Sequence, residues 1–278
     1  MHDPVYVERQ GHRTWLKWHR GRRRGSDPVF TGQRILEGMA AGASVEVDLV
    51  VTGDKGFAVL HNLELSRETT GTGLVAQTSD AVLRQLQLRD NEGVPIADRV
   101  MLLDDLCALM ASGTVHPEAL LQLDYKEDDS VLDAVALANF ARATRPVAAN
   151  LILSSGSAKA IAMLAAEVPF IRVGFDPSDE ARVNAVRASG RYADFVAETV
   201  DAAPNADLIY LDWRIPLLFA DDGFDIVAAF HAVGKRIDAW TISKVDADAL
   251  IHVERLLALK VDQITTDDPE GLVQALHS

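Results

Sequence analysis

Apolar residues recur along this chain with two periods that replace each other in turn. Short β-branched or leucine-rich runs stand at 14–18, 44–51, 120–124, 151–154, 170–174, 208–211, 236–240 and 263–266. Between most of them lie stretches with apolar residues three and four apart, the spacing of an amphipathic helix. Ile35, Leu36 and Met39 form one such set, and Leu250, Val253 and Leu256 another. This spacing predicts helices near 31–41, 100–112, 129–143, 157–167 and 223–232, one opened by Pro177-Ser178, one capped by Asp246, and a short one closing the chain. Eight strands, nearly all followed by helices, indicate a TIM (β/α)8 barrel of the α/β class. A doubly wound open sheet is the alternative, but neither a Gly-rich dinucleotide fingerprint nor a P-loop is present. No repeat, low-complexity tract or Pro/Gly/Ser linker divides the sequence, so a single domain over 1–278 is expected, with 1–13 a polar, irregular surface arm.

The pattern breaks after the second strand. Gly53-Asp54-Lys55-Gly56 marks a turn and Phe57-Ala58-Val59-Leu60 a short return strand. A tight hairpin centred on Asp54-Lys55 pairs positions whose numbers sum to 109, which sets His61 opposite Asp48. Leu63 to Gly73 reads as loop, Ser79 as the N-cap of a helix carrying Val82, Leu83 and Leu86, and Asp90 to Asp98 as loop again. This inserted hairpin and helical excursion is suited to walling a pocket.

The second strand itself, Ser44-Val45-Glu46-Val47-Asp48-Leu49-Val50-Val51, carries a conflict. Side chains alternate across a strand, so Glu46 and Asp48 share one face. A parallel sheet covered on both sides expects apolar residues there. Two neighbouring buried carboxylates cost several kcal/mol and raise each other's pKa. Either a cation resolves the conflict or the strand is an edge with a solvated acidic face.

Composition narrows the partners. A net charge of -14 argues against nucleic acid and against anionic membrane. No window nears the ~18 apolar residues of a membrane span, so stable membrane insertion is not expected. Cys107, the one cysteine, cannot form an internal disulfide and sits among Leu103, Leu106 and Met110 on a helix. With no apolar leader in 1–18, the expectation is a cytoplasmic protein, and homo-oligomerisation stays open.

In a barrel the site lies at the C-terminal strand ends. His19-Arg20, Glu46 with Asp48, returning His61, Asp124 with Lys126, Ser154-Ser155, Trp240-Thr241 and Thr266-Asp267 occupy those ends. Carboxylates suit a hard divalent cation, Mg2+ or Ca2+. Arg20 and Lys126 suit a phosphate, and two histidines suit acid–base work near neutral pH. Arg22, Arg23 and Arg24 read as a solvated loop. The other histidines, His2, His12, His116, His231, His252 and His277, read as surface groups. Asp267 reads as orienting Arg20 across the barrel seam or as capping the last helix.

The ordered set His19-Arg20-Gly21, Glu46-Val47-Asp48, His61, Asp124-Tyr125-Lys126, Trp240-Thr241 and Thr266-Asp267-Asp268-Pro269 resembles the glycerophosphodiester phosphodiesterase family from Trp15 to Pro269. Leu65-Ser66-Arg67-Glu68-Thr69-Thr70-Gly71 resembles that family's Leu-x-Arg-Thr-Thr-x-Gly loop with an inserted Glu68. The resemblance implies metal binding by Glu46, Asp48 and Asp124, acid–base catalysis by His19 and His61, phosphate binding by Arg20 and Lys126, and a pocket wall at Trp240. It implies metal-dependent cleavage of a small glycerophosphodiester to glycerol 3-phosphate and an alcohol, through attack by the glycerol 2-hydroxyl. Two departures stand out: Asn62 follows the second histidine where the family usually has Asp, and Asp124 stands where a Glu is common. A lysophospholipase D-like phosphodiesterase and a catalytically silent phosphodiester-binding barrel are the competing expectations. An amidohydrolase-type barrel is disfavoured because His-x-His does not occur.

Overall fold

The structure is a computed structural model describing residues 4–277. Its strands, in chain order, are β1 (Tyr6–Arg9), β2 (His12–Trp18), β3 (Ser44–Val51), β4 (Phe57–Val59), β5 (Gln87–Arg89), β6 (Pro95–Arg99), β7 (Leu120–Tyr125), β8 (Leu151–Ser154), β9 (Arg172–Phe175), β10 (Leu208–Asp212), β11 (Arg236–Ile242) and β12 (Gln263–Thr266). The helices are α1 (Gly32–Ala41), α2 (Asp80–Leu83), α3 (Leu103–Ser112), α4 (Ala134–Thr144), α5 (Ala158–Ala166), α6 (Glu180–Ser189), α7 (Tyr192–Ala202), α8 (Arg214–Asp221), α9 (Ile226–Ala232), α10 (Ala247–Ala258) and α11 (Pro269–Leu276).

Eight parallel strands, β2, β3 and β7 to β12, close on themselves because β12 pairs with β2 and β2 with β3. The result is a TIM barrel, as the alternation of strand and helix predicts. Short polar side chains start many of its helices: Asp133 accepts from Val135 N and Ala136 N at 2.9 Å, and Asp246 from Ala249 N at 2.9 Å. β3 lies between β2 and β7, and all eight of its residues are buried, so the edge-strand reading of its acidic face is excluded. Its outer face packs on α1. A Cβ placed on Gly38 would lie 2.7 Å from Val45 and 3.1 Å from Trp18, so only glycine lets helix and strand approach this closely. With Val45 turned to the helix, Glu46 and Asp48 project into the barrel.

Four expectations change. The arm is not irregular in its described part: β1 pairs antiparallel with β2, and Val5 and Val7 are buried beneath the barrel. The excursion after β3 is less helical than its sequence indicates. α2 is a single turn with Val82 exposed, and residues 87–99 form the β5–β6 hairpin. The β3–β4 register pairs residues summing to 108, not 109. A three-residue loop, Gly53 to Lys55, makes the shift, with Lys55 at φ 63° and Thr52 N donating to Gly56 O. His61 therefore lies just past the strand end rather than opposite Asp48. Finally, α7 and α8 occupy stretches for which the pattern predicts no helix.

Cys107 faces the core from α3, and burial pushes its thiol up to about 12. We expect the folded protein to leave a thiol-reactive disulfide reagent unreacted at pH 8 and to release one equivalent only on denaturation. Rapid reaction of the native chain would contradict this packing.

Candidate active site

At the C-terminal mouth of the barrel a cavity of about 290 Å³ is lined by His19, Arg20, Glu46, His61, Asp124, Lys126 and Trp240, among others. Asp48, fully buried, lies behind them. The structure thus gathers His19, Arg20, Glu46, Asp48, His61, Asp124, Lys126 and Trp240 at one place.

The carboxylates converge as one group. Glu46, Asp48 and Asp124 each offer an oxygen within 4.8 Å of the others, a span one cation with ligand bonds of about 2.0–2.6 Å can bridge. β3 and β7 place them, Asp48 standing directly across from Asp124 in the parallel register. Arg20 Nε lies 3.1 Å from Asp48 Oδ2, and Lys126 Nζ lies 2.7 Å from Asp48 Oδ1 and 2.5 Å from Asp124 Oδ2. Burial alone would raise Asp48, but Lys126 and Arg20 overcome it and hold the carboxyl at about 2. Glu46 goes the other way: burial, then the Asp48 charge beside it, raise it well above the usual carboxylate range. For Lys126 burial is outweighed by Asp124, Asp48 and Glu46, which keep it protonated.

Arg20 owes its place to an uncommon backbone. Its φ is 54°, a left-handed conformation that costs a non-glycine residue about 1–3 kcal/mol. The turn aims Arg20 N at Glu46 Oε2, 2.8 Å away. This hydrogen bond ties the loop after β2 to β3.

The histidines differ. His19 Nδ1 lies 2.5 Å from Asp267 Oδ1, which leaves Nε2 facing the cavity, 3.9 Å from Glu46. Burial lowers the His19 pKa, and Asp267 opposes that shift without cancelling it. His61 is less deeply set and is also lowered by burial. Asp267 therefore orients His19 and pairs with Arg22, while Asp268 caps α11 through Gly271 N at 2.8 Å. This corrects the expectation that Asp267 holds Arg20 or caps the helix. The arginine run is solvated only in part: Arg23 pairs with Glu270 and Glu37 and is largely covered, whereas Arg24 pairs with Glu270 but stays exposed. Of the remaining histidines, His231 pairs with Asp262 at 2.8 Å and His252 packs at a tilt against Trp213, whereas His2 lies outside the described residues.

Two groups not assigned from sequence complete the site. Tyr210 lines the cavity beside Trp240. Glu68, buried in the loop after β4, accepts from His61 N at 3.1 Å and from Asn62 N at 2.9 Å through the same oxygen. A carboxylate thus braces the backbone of His61 although residue 62 is not acidic. Only the folded loop brings position 68 back to position 61.

A closed parallel barrel whose mouth joins three carboxylates, two cations and two histidines defines a phosphodiester-processing enzyme of the TIM-barrel type. The glycerophosphoryl diester phosphodiesterase family model matches residues 19–271, and the chain belongs to that family. Similar solved structures include a glycerophosphoryl diester phosphodiesterase of Silicibacter pomeroyi (TM-score 0.73, 20% identity, covering 95% of this chain and 93% of that one). A Galdieria sulphuraria glycerophosphodiester phosphodiesterase aligns with TM-score 0.71 and 17% identity over 95% and 98% of the two chains. An Oleispira antarctica phosphodiesterase, solved with the product sn-glycerol-3-phosphate, aligns with TM-score 0.66 and 20% identity over 95% and 96%. No curated protein sequence matches significantly. Among the described residues no helix is long and apolar enough to cross a membrane.

Glu68→Ala leaves two backbone N–H groups without their acceptor. We expect a loss of about 1–3 kcal/mol in urea unfolding, while Glu68→Gln, which keeps an acceptor oxygen, stays near wild type. Equal stability of the alanine variant would show that the brace is dispensable.

Proposed function

We propose that this enzyme cleaves glycerophosphodiesters to glycerol 3-phosphate and an alcohol, with His19 and His61 moving the protons and Glu46, Asp48 and Asp124 holding one divalent cation. The convergence of the three carboxylates within 4.8 Å, on the cavity that both histidines line, carries this reading. The donor set fits the cation. With all three carboxylates ionised, as a bound cation would keep them, they face two side-chain cations and leave one negative charge at the centre of the site. All-oxygen ligation favours Mg2+ or Ca2+ over softer metals. Such an ion would lower the pKa of the attacking hydroxyl and polarise the phosphoryl oxygen.

The chain's own groups divide the remaining tasks. Asp267 fixes the proton of His19 on Nδ1, so Nε2 presents a lone pair to the cavity and takes the proton of the glycerol 2-hydroxyl. His61, nearer the solvent, donates a proton to the departing alkoxide, and water then opens the resulting cyclic phosphate with the two proton-transfer roles reversed, giving glycerol 3-phosphate. Lys126 and Arg20 screen the equatorial phosphoryl oxygens as charge builds on them. Arg20 meets Asp48 through Nε, and its terminal nitrogens make no hydrogen bond among the described residues. Trp240 walls the side on which the glycerol or the leaving group sits.

One observation favours a substrate with an acyl chain on its glycerol. Leu63, 49% exposed, lines a groove of about 670 Å³ that shares Asp124 and Lys126 with the main cavity. Exposed Leu74 lies close by, since its neighbour Val75 donates to Leu63 O. This apolar pair beside the mouth supports lysophospholipase D-like substrates as a second reading.

Glycerol 3-phosphate release from glycerophosphocholine and glycerophosphoethanolamine is expected with Mg2+ or Ca2+ and abolished by chelator. His19→Ala is expected to lower kcat by roughly 10²–10⁴-fold. Choline release from lysophosphatidylcholine, with no turnover of the two glycerophosphodiesters, would move the assignment to the second reading. Binding without turnover of any of these would favour the silent barrel, and full activity of His19→Ala would remove that residue from catalysis.

A further inference from the structure

Beneath the three carboxylates the barrel interior is polar where such barrels normally stack branched apolar side chains. Lys17 on β2 is 1% exposed. Its ammonium lies 3.0 Å from Asp238 Oδ2 on β11, and Thr265 on β12 donates to Asp238 Oδ1 at 2.7 Å. The same ammonium donates to Gln122 Oε1 on β7. Gln122 Nε2 donates to Ser154 Oγ on β8 at 2.8 Å, and Ser154 Oγ donates to Asp124 Oδ1 at 2.7 Å. An unbroken chain of hydrogen bonds thus runs from a buried lysine to one of the three carboxylates.

The direction of that chain is fixed by chemistry. An ammonium can only donate, so Gln122 must turn its carbonyl oxygen to Lys17 and its NH2 to Ser154. Ser154 has a single proton. With one lone pair engaged by Gln122, that proton points to Asp124. Each link hands its donor toward the carboxylate, and successive bonds of one sense strengthen one another in a low-dielectric interior. A buried Lys–Asp pair is a weak device for stability, since apolar packing would serve as well or better. Its place at the head of this chain supplies another reason for it.

We propose that Lys17, Gln122 and Ser154 are positioning residues that lock Asp124, through its Oδ1, in the rotamer that leaves Oδ2, which Lys126 meets at 2.5 Å, to be shared with a cation. The inference rests on the metal site proposed above. It also bears on the shorter side chain of Asp124: with one methylene fewer than Glu to search with, its carboxylate must be held in place.

The test is Mn2+ binding by isothermal titration calorimetry on the full chain, with unfolding followed in parallel. Lys17→Met is avoided because it strands Asp238 as an unpaired buried charge. Gln122→Glu has nearly the same shape, but both of its oxygens accept, so it draws the Ser154 proton away and turns a lone pair toward Asp124. Plain electrostatics predicts tighter cation binding from the added negative charge, whereas the positioning chain predicts weaker. We expect Gln122→Glu and Ser154→Ala each to weaken Mn2+ binding on the order of 10–100-fold, with Gln122→Met affected less than Gln122→Glu. Unchanged or tighter binding by Gln122→Glu, or a loss of thermal stability with no change in affinity, overturns the proposal. Failure of the wild-type chain to bind Mn2+, Mg2+ or Ca2+ overturns the parent metal reading and this inference with it, and is distinguished by the wild-type titration alone.

Discussion

The structure depends on how it accommodates a carboxylate that water cannot reach. Asp48 lies at the centre of the barrel mouth, fully buried, between Arg20 and Lys126. Removing one partner from such a pair leaves an uncompensated charge at a cost of about 3–5 kcal/mol. The surrounding loops are therefore bound to positions that keep both cations close. The left-handed turn at Arg20 is tolerated because it brings the guanidinium to Asp48 and the backbone N–H to Glu46. Strand β7 delivers Lys126 from the opposite side, two residues beyond Asp124. The site is a consequence of charge balance as much as of shape.

Around this centre the protein surrounds each working group with a second group that fixes it. Asp267 sets the proton of His19, and Arg22 in turn neutralises Asp267. Glu68 holds the backbone of His61 and Asn62. Ser154 holds Asp124, with Gln122 and Lys17 behind it. Asp267 and Ser154 each come from a strand neighbouring that of the group they support, whereas Glu68 comes from the same loop as His61. The barrel makes such cross-strand bracing natural, because inward-facing residues of neighbouring strands meet in layers.

That geometry explains what could be read in the sequence and what could not. The strand ends were legible because a parallel barrel sends all of them to one rim, so Glu46, Asp48, Asp124 and Lys126 needed only their strand positions. Asp267 touches His19 because β12 closes on β2, with Thr266 beside Trp18, a neighbour relation 248 residues apart in sequence. Glu68 depends on the path of an irregular loop, for which no periodicity exists. Lys17 and Gln122 look like ordinary polar positions of an alternating strand until closure of the barrel turns both inward. β1 was hidden because two buried valines among polar residues give too short a pattern. The hairpin register slipped by one because Lys55 adopts a left-handed conformation that its side chain does not advertise.

The most direct test of the charge-balance account is the position of a bound cation. Crystals grown with Mn2+ and measured at its absorption edge should show one strong anomalous peak, with oxygens of Glu46, Asp48 and Asp124 at about 2.0–2.6 Å. A peak elsewhere on the chain, or none at a saturating Mn2+ concentration, would contradict the account and leave Arg20 and Lys126 as the sole counter-charges of the buried carboxylates.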